Sequence, residues 1–481
     1  MQQHSNWLAT IALVLWPVVS ICLYRTLSLG QATLWTILAA QLLLPVGTAI
    51  KFQMVPQFDK NSIPCLCALI ACLILPRQRP KLFKSLGLTE VLIVMNLIGP
   101  FITSELNGDN IYIGDALVLP GVGIYDAISA SEAAFIILIP FFLGRQYLSG
   151  PLDSLKVLQA LVVAGLVYSL PMLFEVRFSP QLHYWFYGYY PSEFLQNMRD
   201  GGFRPMVFMG HGLLAAFFVM TTVVAAAALW RLRAIPWKSL PPAGATFYLA
   251  GILVLCKTLG ALVYAVALVP LVRFAKPRLQ VRVALVLVIL ALAYPTLRSF
   301  DLVPTSAILG AASFISSQRA ESLRFRLNNE DRLLERASQR FTFGWGRYGR
   351  SRVYAEWGQD MSTTDGRWII TLGTFGVFGF IAEFGLLSIG VFRAATSLRF
   401  VQSNSERLCL GALSLIVAIN IFDLLPNSGL MPWTWLLSGA LLGRAEALRA
   451  LAYQKGREPR SGQGPSAIGS PIPTGIGRNY G

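Results

Sequence analysis

The chain has 481 residues, of which 54% belong to the apolar and aromatic set and only 13% are charged, and its mean hydropathy is +0.56. A soluble chain carries about 25% charged residues, so this one has too few to cover a water-facing surface, and the soluble globular classes are excluded. The net charge of +16 would suggest nucleic acid in a soluble protein. Here it first marks the loops held on the cytoplasmic side of a membrane, and no nucleic-acid partner is expected.

A spanning helix needs ~20 largely apolar residues. Apolar segments run over 7–24, 31–50, 62–75, 86–103, 131–148, 157–173, 205–230, 243–257, 259–272, 283–299, 369–392, 408–425 and 431–443. The pattern predicts an all-α polytopic membrane protein with about eleven to thirteen transmembrane helices, because three of the segments are short. The first is not expected to be a cleaved signal, since no Lys or Arg precedes it. When thirteen spans are alternated, 23 of the 40 basic residues fall on one face with four acids, Asp153, Glu406, Glu446 and Glu458. That face includes Arg77, Arg79, Lys81, Lys84 and Lys238, and it reads as cytoplasmic, with the N-terminus outside and the C-terminus inside.

This divides the chain into N-terminal spans (1–203), central spans (204–299), a large outer loop (300–368), C-terminal spans (369–452) and a Gly/Pro/Ser-rich tail (453–481) that reads as disordered. Six cysteines lie in or beside apolar stretches and read as small apolar residues. With three histidines and no metal-ligand spacing, no metal site is expected.

Three outer loops are long. The first, 104–130, carries Glu105, Asp109, Asp115 and Asp126 without a Lys or Arg. The second, 174–204, contains the run HYWFYGYYP from His183, which reads as an interfacial aromatic belt, a platform for sugar or polyprenyl groups, or both. In the third, all ten basic residues between Asp301 and Trp368 are Arg, beside eight acids. A guanidinium binds phosphate oxygens as a planar fork, which an ammonium cannot do. The stretch SSQRAESLRFRLNNEDRLLERASQR predicts an amphipathic helix along the outer interface. Its alternative is a solvated helix with pairs such as Glu321–Arg324, Arg326–Glu330 and Arg332–Glu335. Arg340 and Arg347 have no acid within four residues, which favours an anion ligand for them. FTFGWGRYG (341–349) offers tight turns, and Gly373, Gly376 and Gly379 suggest close packing against a neighbouring helix.

Lys257, His211 and Glu383 are ionisable groups at or near membrane depth, and each is a functional candidate by default; snorkelling is the alternative for Lys257, and Glu383 is expected to pair with a polar residue of another helix. Asp365 and Arg367 stand where the chain re-enters the membrane. Asp365 reads either as a general base or as the cap of the helix that follows.

FRPMVFMGHG (203–212), LCKTLGALVYA (255–265), SLRFR (322–326), RFTFGWGRYG (340–349) and TDGRWIITLGTFGVFGF (364–380) together resemble the O-antigen polymerase and ligase superfamily of bacterial envelope glycosyltransferases. The resemblance covers about 203–392. It implies a GT-C-like fold in the bacterial inner membrane and an undecaprenyl-pyrophosphate-linked glycan as donor. It also implies an active site facing the periplasm and neither metal nor other cofactor. On this basis Arg204, Arg324, Arg326, Arg340 and Arg347 are expected to bind the pyrophosphate and Asp365 to be catalytic, with His211, Lys257 and Arg367 as further candidates. Many ligases carry His where this chain has Asp365, which tilts the expectation towards a polymerase whose acceptor is a second lipid-linked repeat unit, with a chain-length regulator and a flippase as companions. A ligase acting on lipid A-core, a lipid-linked oligosaccharide transporter and a scaffold of an export complex are the rivals.

Overall fold

The computed structural model describes residues 5–52, 56–75, 87–199, 201–234, 241–315 and 317–457. Arg77, Arg79, Lys81, Lys84, Lys238 and the tail from 458 onward, with Glu458, lie outside the described residues. In chain order the helices are α1 (Trp7–Thr26), α2 (Leu29–Leu43), α3 (Ser62–Ile74), α4 (Leu88–Glu105), α5 (Ile124–Tyr147), α6 (Asp153–Phe178), α7 (Leu182–Tyr187), α8 (Gly212–Leu232), α9 (Pro242–Leu255), α10 (Leu259–Phe274), α11 (Pro277–Ser299), α12 (Thr305–Ile315), α13 (Ser317–Ser338), α14 (Arg367–Ser397), α15 (Asn404–Asp423) and α16 (Pro432–Arg457). Three small antiparallel hairpins interrupt them: β1 (Ala49–Ile50) with β2 (Phe58–Asp59), β3 (Ile111–Ile113) with β4 (Leu117–Leu119), and β5 (Met198–Arg199) with β6 (Gly202–Phe203).

Each of the thirteen apolar segments coincides with a helix. Eight of these helices (α1, α4, α5, α6, α8, α11, α14 and α15) are long and apolar enough to cross a membrane, whereas α2, α3, α9 and α10 are shorter apolar helices. The chain is a polytopic helical membrane protein. α8 and α15 form its centre, with 83% and 78% of their apolar windows buried, against 28% for α1 and 33% for α11. α1 and α11 therefore turn apolar side chains such as Val14, Val18 and Val286 outward, as lipid-facing helices do.

Several boundaries differ from the sequence reading. α2 stops at Leu43 because Pro45 and Gly47 follow, and residues 49–50 form a strand. α8 starts at Gly212 rather than 205, since Pro205 and Gly210 hold a turn ahead of it. α6 continues to Phe178, and α16 runs to Arg457 through good helix formers rather than ending at 452. The large loop holds an additional apolar helix, α12, ahead of the expected amphipathic helix α13.

Charged networks separate the two ends of the bundle. At one end Arg145 stands 3.0 Å from Glu90 and 2.6 Å from Glu446, and Arg444 pairs with Glu406 while donating to the Ser149 carbonyl at 3.2 Å. The opposite end carries the three long loops and is called the loop end below.

Candidate functional site

The acidic first loop is the mate of the arginine-rich third. Arg340 donates to the Leu106 carbonyl and Asn107 Oδ1, both at 2.7 Å, and pairs with Asp109 at 3.2 Å. Arg350, fully buried, donates to the carbonyls of Asp109 and Pro120 at 2.8 Å and of Trp345 at 3.1 Å. Arg336 lies 3.4 Å from the Trp345 ring centre, and Trp345 Nε1 donates back to the Arg336 carbonyl at 2.7 Å. All three guanidiniums are occupied by protein groups; Arg340 and Arg350 tie the third loop to the first, whereas Arg336 packs within the third.

Gly344 of the 341–349 segment and Gly376 of α14 meet at one close approach. α14 is broken at Gly376 (φ 67°, ψ −167°), a conformation open almost only to glycine. The loop fills the break: Trp345 N and Gly346 N donate to the carbonyls of Gly373 and Thr374 at 2.9 Å, and Val377 N and Phe378 N donate to those of Phe341 and Thr342 at 2.8 and 3.1 Å. A Cβ on Gly344 would lie 2.5 Å from the Thr374 carbonyl, and one on Gly376 2.3 Å from that of Thr342. Gly373 and Gly376 of the stripe expected to pack on a neighbouring helix instead receive a loop, because a broken spanning helix must have its freed backbone groups satisfied, whereas Gly379 lies against Phe375 of its own helix. Glu383 also departs from expectation. Its partner is Arg367 of the same helix, at 2.8 and 2.5 Å, with Thr371 Oγ1 at 3.0 Å. In an unbroken helix sixteen residues span ~24 Å, beyond the reach of the two side chains, so the pair exists only because α14 folds back.

The second group of candidates gathers from separate segments. Glu175, buried in α6, accepts backbone hydrogens from Leu182 (3.1 Å), Met206 (2.8 Å) and Val207 (2.7 Å), and so fixes the turn of FRPMVFMGHG. Arg204, 3% exposed, enters from this turn. Its Nη2 approaches the Lys257 carbonyl at 3.5 Å, and Lys257, in a left-handed conformation between α9 and α10, donates from Nζ to the Arg199 carbonyl at 2.8 Å. His211 caps α8: its Nδ1 accepts from Leu213 N at 3.1 Å, which leaves the proton on Nε2, 3.4 Å from Gln196 Oε1. Burial, and then the charges of Arg204, Arg326 and Arg199, hold the His211 imidazole below its ordinary value.

Arg326 reaches this group from α13. Its Nη1 donates to the Pro426 carbonyl at 3.2 Å and its Nε stands 3.6 Å from Asp365 Oδ2, both side chains being about one-third exposed. The Arg326–Glu330 pair of the solvated-helix alternative is not formed, because Glu330 faces α11, where it accepts from Tyr294 Oη at 3.0 Å beside Arg298. Asp365 is not the helix cap. Gly366 occupies that position without a side-chain bond, and Arg367 N is taken by the carbonyls of Leu424 and Asn427. Asp423, at the end of α15, accepts from Asn427 Nδ2 at 3.0 Å and bonds the Tyr264 hydroxyl, within range of the Arg326 charge.

Arg204, His211, Lys257, Arg326 and Asp365 therefore form one neighbourhood at the loop end. Arg340 belongs to the interlocked loops. Arg324 is exposed on α13. Arg347 and Arg367 line a separate cavity of about 530 Å³ between α4, α5 and α14. Sequence reading missed Glu175 and Asp423; acids at the ends of apolar helices were the available signal. Among the described residues no cluster of His, Cys, Asp and Glu is suited to hold a metal ion. The aromatic run divides: Tyr184, Trp185 and Phe186 are exposed, whereas His183, Tyr187 and Tyr189 are buried, Tyr187 and Tyr189 beside Ala9 of α1. No family model and no curated protein matches the chain.

Proposed function

We propose that the protein is a polysaccharide polymerase of O-antigen or exopolysaccharide type, GT-C-like, acting at the periplasmic face of the bacterial inner membrane. It transfers a glycan from undecaprenyl pyrophosphate to a sugar hydroxyl of another lipid-linked repeat unit. The observation that carries this reading is the convergence of two arginines and a carboxylate, Arg204, Arg326 and Asp365, from three distant segments. The acceptor hydroxyl oxygen attacks the anomeric carbon and the bond from that carbon to the phosphate oxygen breaks. Undecaprenyl pyrophosphate departs with the bonding electrons, and Asp365 receives the hydroxyl proton. Attack opposite the leaving group inverts the anomeric centre. The leaving group needs cations on its developing charge, which Arg204 and Arg326 supply. Asp365 sits beside Arg326, so the base and the anion site are adjacent. His211, protonated on Nε2, serves as a hydrogen-bond donor in this arrangement rather than as a base.

The broken α14 with its Arg367–Glu383 pair favours a second reading, a transporter of lipid-linked oligosaccharide, since broken helices with ionisable groups are a transporter feature. Against it, the break is filled by backbone of residues 341–346. A ligase uses the same donor site and differs only in acceptor.

The deciding experiment is deletion of the gene in its own host with gel analysis of surface polysaccharide. It is complemented by wild type, Arg326→Lys and Arg204→Lys. Loss of polymer with single repeat units retained supports a polymerase, polymer retained on the carrier lipid supports a ligase, and repeat units trapped inside support a transporter. The Lys variants keep the charge but lose the fork, so polymer should fall at least ~10-fold at unchanged protein level. Full polymer in both would remove the pyrophosphate role.

A further inference from the structure

A second cavity, of about 290 Å³, opens where α2, the turn ahead of α3, the 203–212 turn and the start of α8 meet. Its lining is of two kinds. Met209, Leu214 and Met431 are apolar, whereas Gln41, Lys60 and Asn61 bring amide and ammonium groups. Gln41, 1% exposed, donates from Nε2 to the Lys60 carbonyl and to Asn61 Oδ1, both at 3.2 Å. Those two acceptors fix the orientation of its amide, and its Oε1 is left buried without a partner among the described residues. Lys60 is 5% exposed, and its Nζ donates one hydrogen bond, to the Phe208 carbonyl at 2.5 Å. No carboxylate of the described residues pairs with it. The adjacent Asp59 turns its Oδ1 to the start of α3, where it accepts from Asn61 N and Ser62 N at 2.9 Å. Nearby His183 is neutral: Nε2 accepts from Val46 N at 3.3 Å and Nδ1 donates to the Tyr189 carbonyl at 2.9 Å. Lys51, exposed at the rim, adds a second positive charge. A buried ammonium with two unused donors and no counter-ion is costly, and burial pushes Lys60 down to about 7.

We infer that this cavity binds one carboxylate-bearing sugar unit of the glycan, with the carboxylate on Lys60 and a hydroxyl donating to Gln41 Oε1. That the ligand is a sugar rests on the proposed function; that it is an anion rests on the uncompensated Lys60. The volume lies at the lower limit of small-molecule sites, ~300–1,000 Å³, which suits one ring rather than an oligosaccharide. A sugar ring has an apolar C–H face and hydroxyl edges, matching a lining that is apolar in one part and hydrogen-bonding in the other. The cavity borders the turn that carries His211, and Asn61 lines both it and the larger cavity of Arg367. Lys60 thus selects which repeat unit is accepted and takes no part in the bond transfer.

The test uses the purified full-length protein in a detergent without a sugar headgroup, with binding read by saturation-transfer NMR for glucuronate, galacturonate, glucose and acetate. At least one uronate should bind ~10-fold or more tightly than glucose and acetate, because the ion pair and the hydroxyl contacts act together. Lys60→Met should remove that preference and Gln41→Leu should weaken uronate binding. Lys156→Gln, which alters a lysine paired with Asp153 at the start of α6, should change nothing. In the wild type, uronate binding should fall as pH rises from ~6 to ~9, since Lys60 loses its proton while the ligand carboxylate stays ionised. Absence of uronate binding, or glucose or acetate binding as tightly, would overturn the assignment. So would a preserved preference in Lys60→Met at unchanged melting temperature, or equal loss in Lys156→Gln. Should Lys60→Met fail to fold, the wild-type pH profile carries the test, and a flat profile counts against the site. Binding is read without transfer, so the two readings fail separately. Uronate binding without a polymer defect in the deletion strain would remove the polymerase alone, and a polymer defect without uronate binding would remove this site alone.

Discussion

Two arginine groups occupy the same end of the molecule and come partly from the same loop, yet they do opposite things. Around Asp109, Arg340 and Arg350 have their guanidiniums taken by carbonyls, a side-chain amide and a carboxylate of the first loop. Around His211, Arg326 donates one hydrogen bond among the described residues, to Pro426, and stands 3.6 Å from Asp365 with Asp423 within range of its charge, while one-third exposed. A closed arginine is architecture, because donors matched to protein acceptors rigidify and specify a docking. An open one retains donors for a ligand. The count of arginines does not separate the two cases; the fate of their donors does.

The comparison is tested most severely at Asp365. If the open group is the reactive one, Asp365→Asn should lower polymer formation by ~10²–10⁴-fold at unchanged abundance, the range for loss of a general base. Since Asp365 does not cap α14, normal activity of the Asn variant would leave it without a chemical role. Asp365→His should restore part of the activity, because imidazole can again take the proton.

The closed side has its own tests. Gly376→Ala forces a side chain into a glycine-only conformation and towards the Thr342 carbonyl, and it should cost about 3 kcal/mol, seen as a lower melting temperature in detergent. Arg350→Gln removes the donor shared by the carbonyls of Asp109, Pro120 and the buried Trp345 and should cost about 2 kcal/mol, with residues 344–366 becoming susceptible to limited proteolysis. A melting temperature equal to wild type in Arg350→Gln would break the distinction between closed and open groups.

His211 gives a pH signature. Burial and three neighbouring arginines hold its imidazole below the ordinary value, so below ~6.5 the unfolded chain takes up a proton that the folded one resists. Stability should fall as pH drops through that value and level off once the folded group also protonates. His211→Asn keeps a helix-capping acceptor and should flatten the profile between pH 7 and 5. An unchanged slope in the variant would place the titration elsewhere.

Much of the architecture was legible because hydropathy is a local property. Each of the thirteen apolar stretches contains a helix, and the spacing of Leu323, Leu327, Leu334 and Ala337 placed α13 within two residues at each end. What was not legible is pairing at a distance. Arg340 and Asp109 are separated by 231 residues, and no local pattern joins them. Gly376 was read as a helix-packing residue because small residues at a three-residue spacing look the same whether a helix or a loop approaches. The Arg367–Glu383 pair was hidden for the same reason, since it requires the break that the glycine permits.

The smallest effect falls on Arg324, and it discriminates most finely. SLRFR contains two arginines, and sequence alone ranks them equally as pyrophosphate ligands. On α13 two residues are ~200° apart, so one face cannot present both. Arg326 turns to Asp365 and Pro426, whereas Arg324 is exposed and lacks a hydrogen bond or ion pair among the described residues. Arg324→Ala should therefore change stability by less than ~0.5 kcal/mol, the ordinary range for a surface substitution, and polymer yield by less than ~2-fold. Arg326→Ala should abolish most of the polymer. Comparable loss in both variants would mean that α13 rotates or shifts when substrate binds, bringing its outer face to the phosphate. Loss in Arg324→Ala alone would exchange the roles of the two residues and move the anion site to the exposed side of α13.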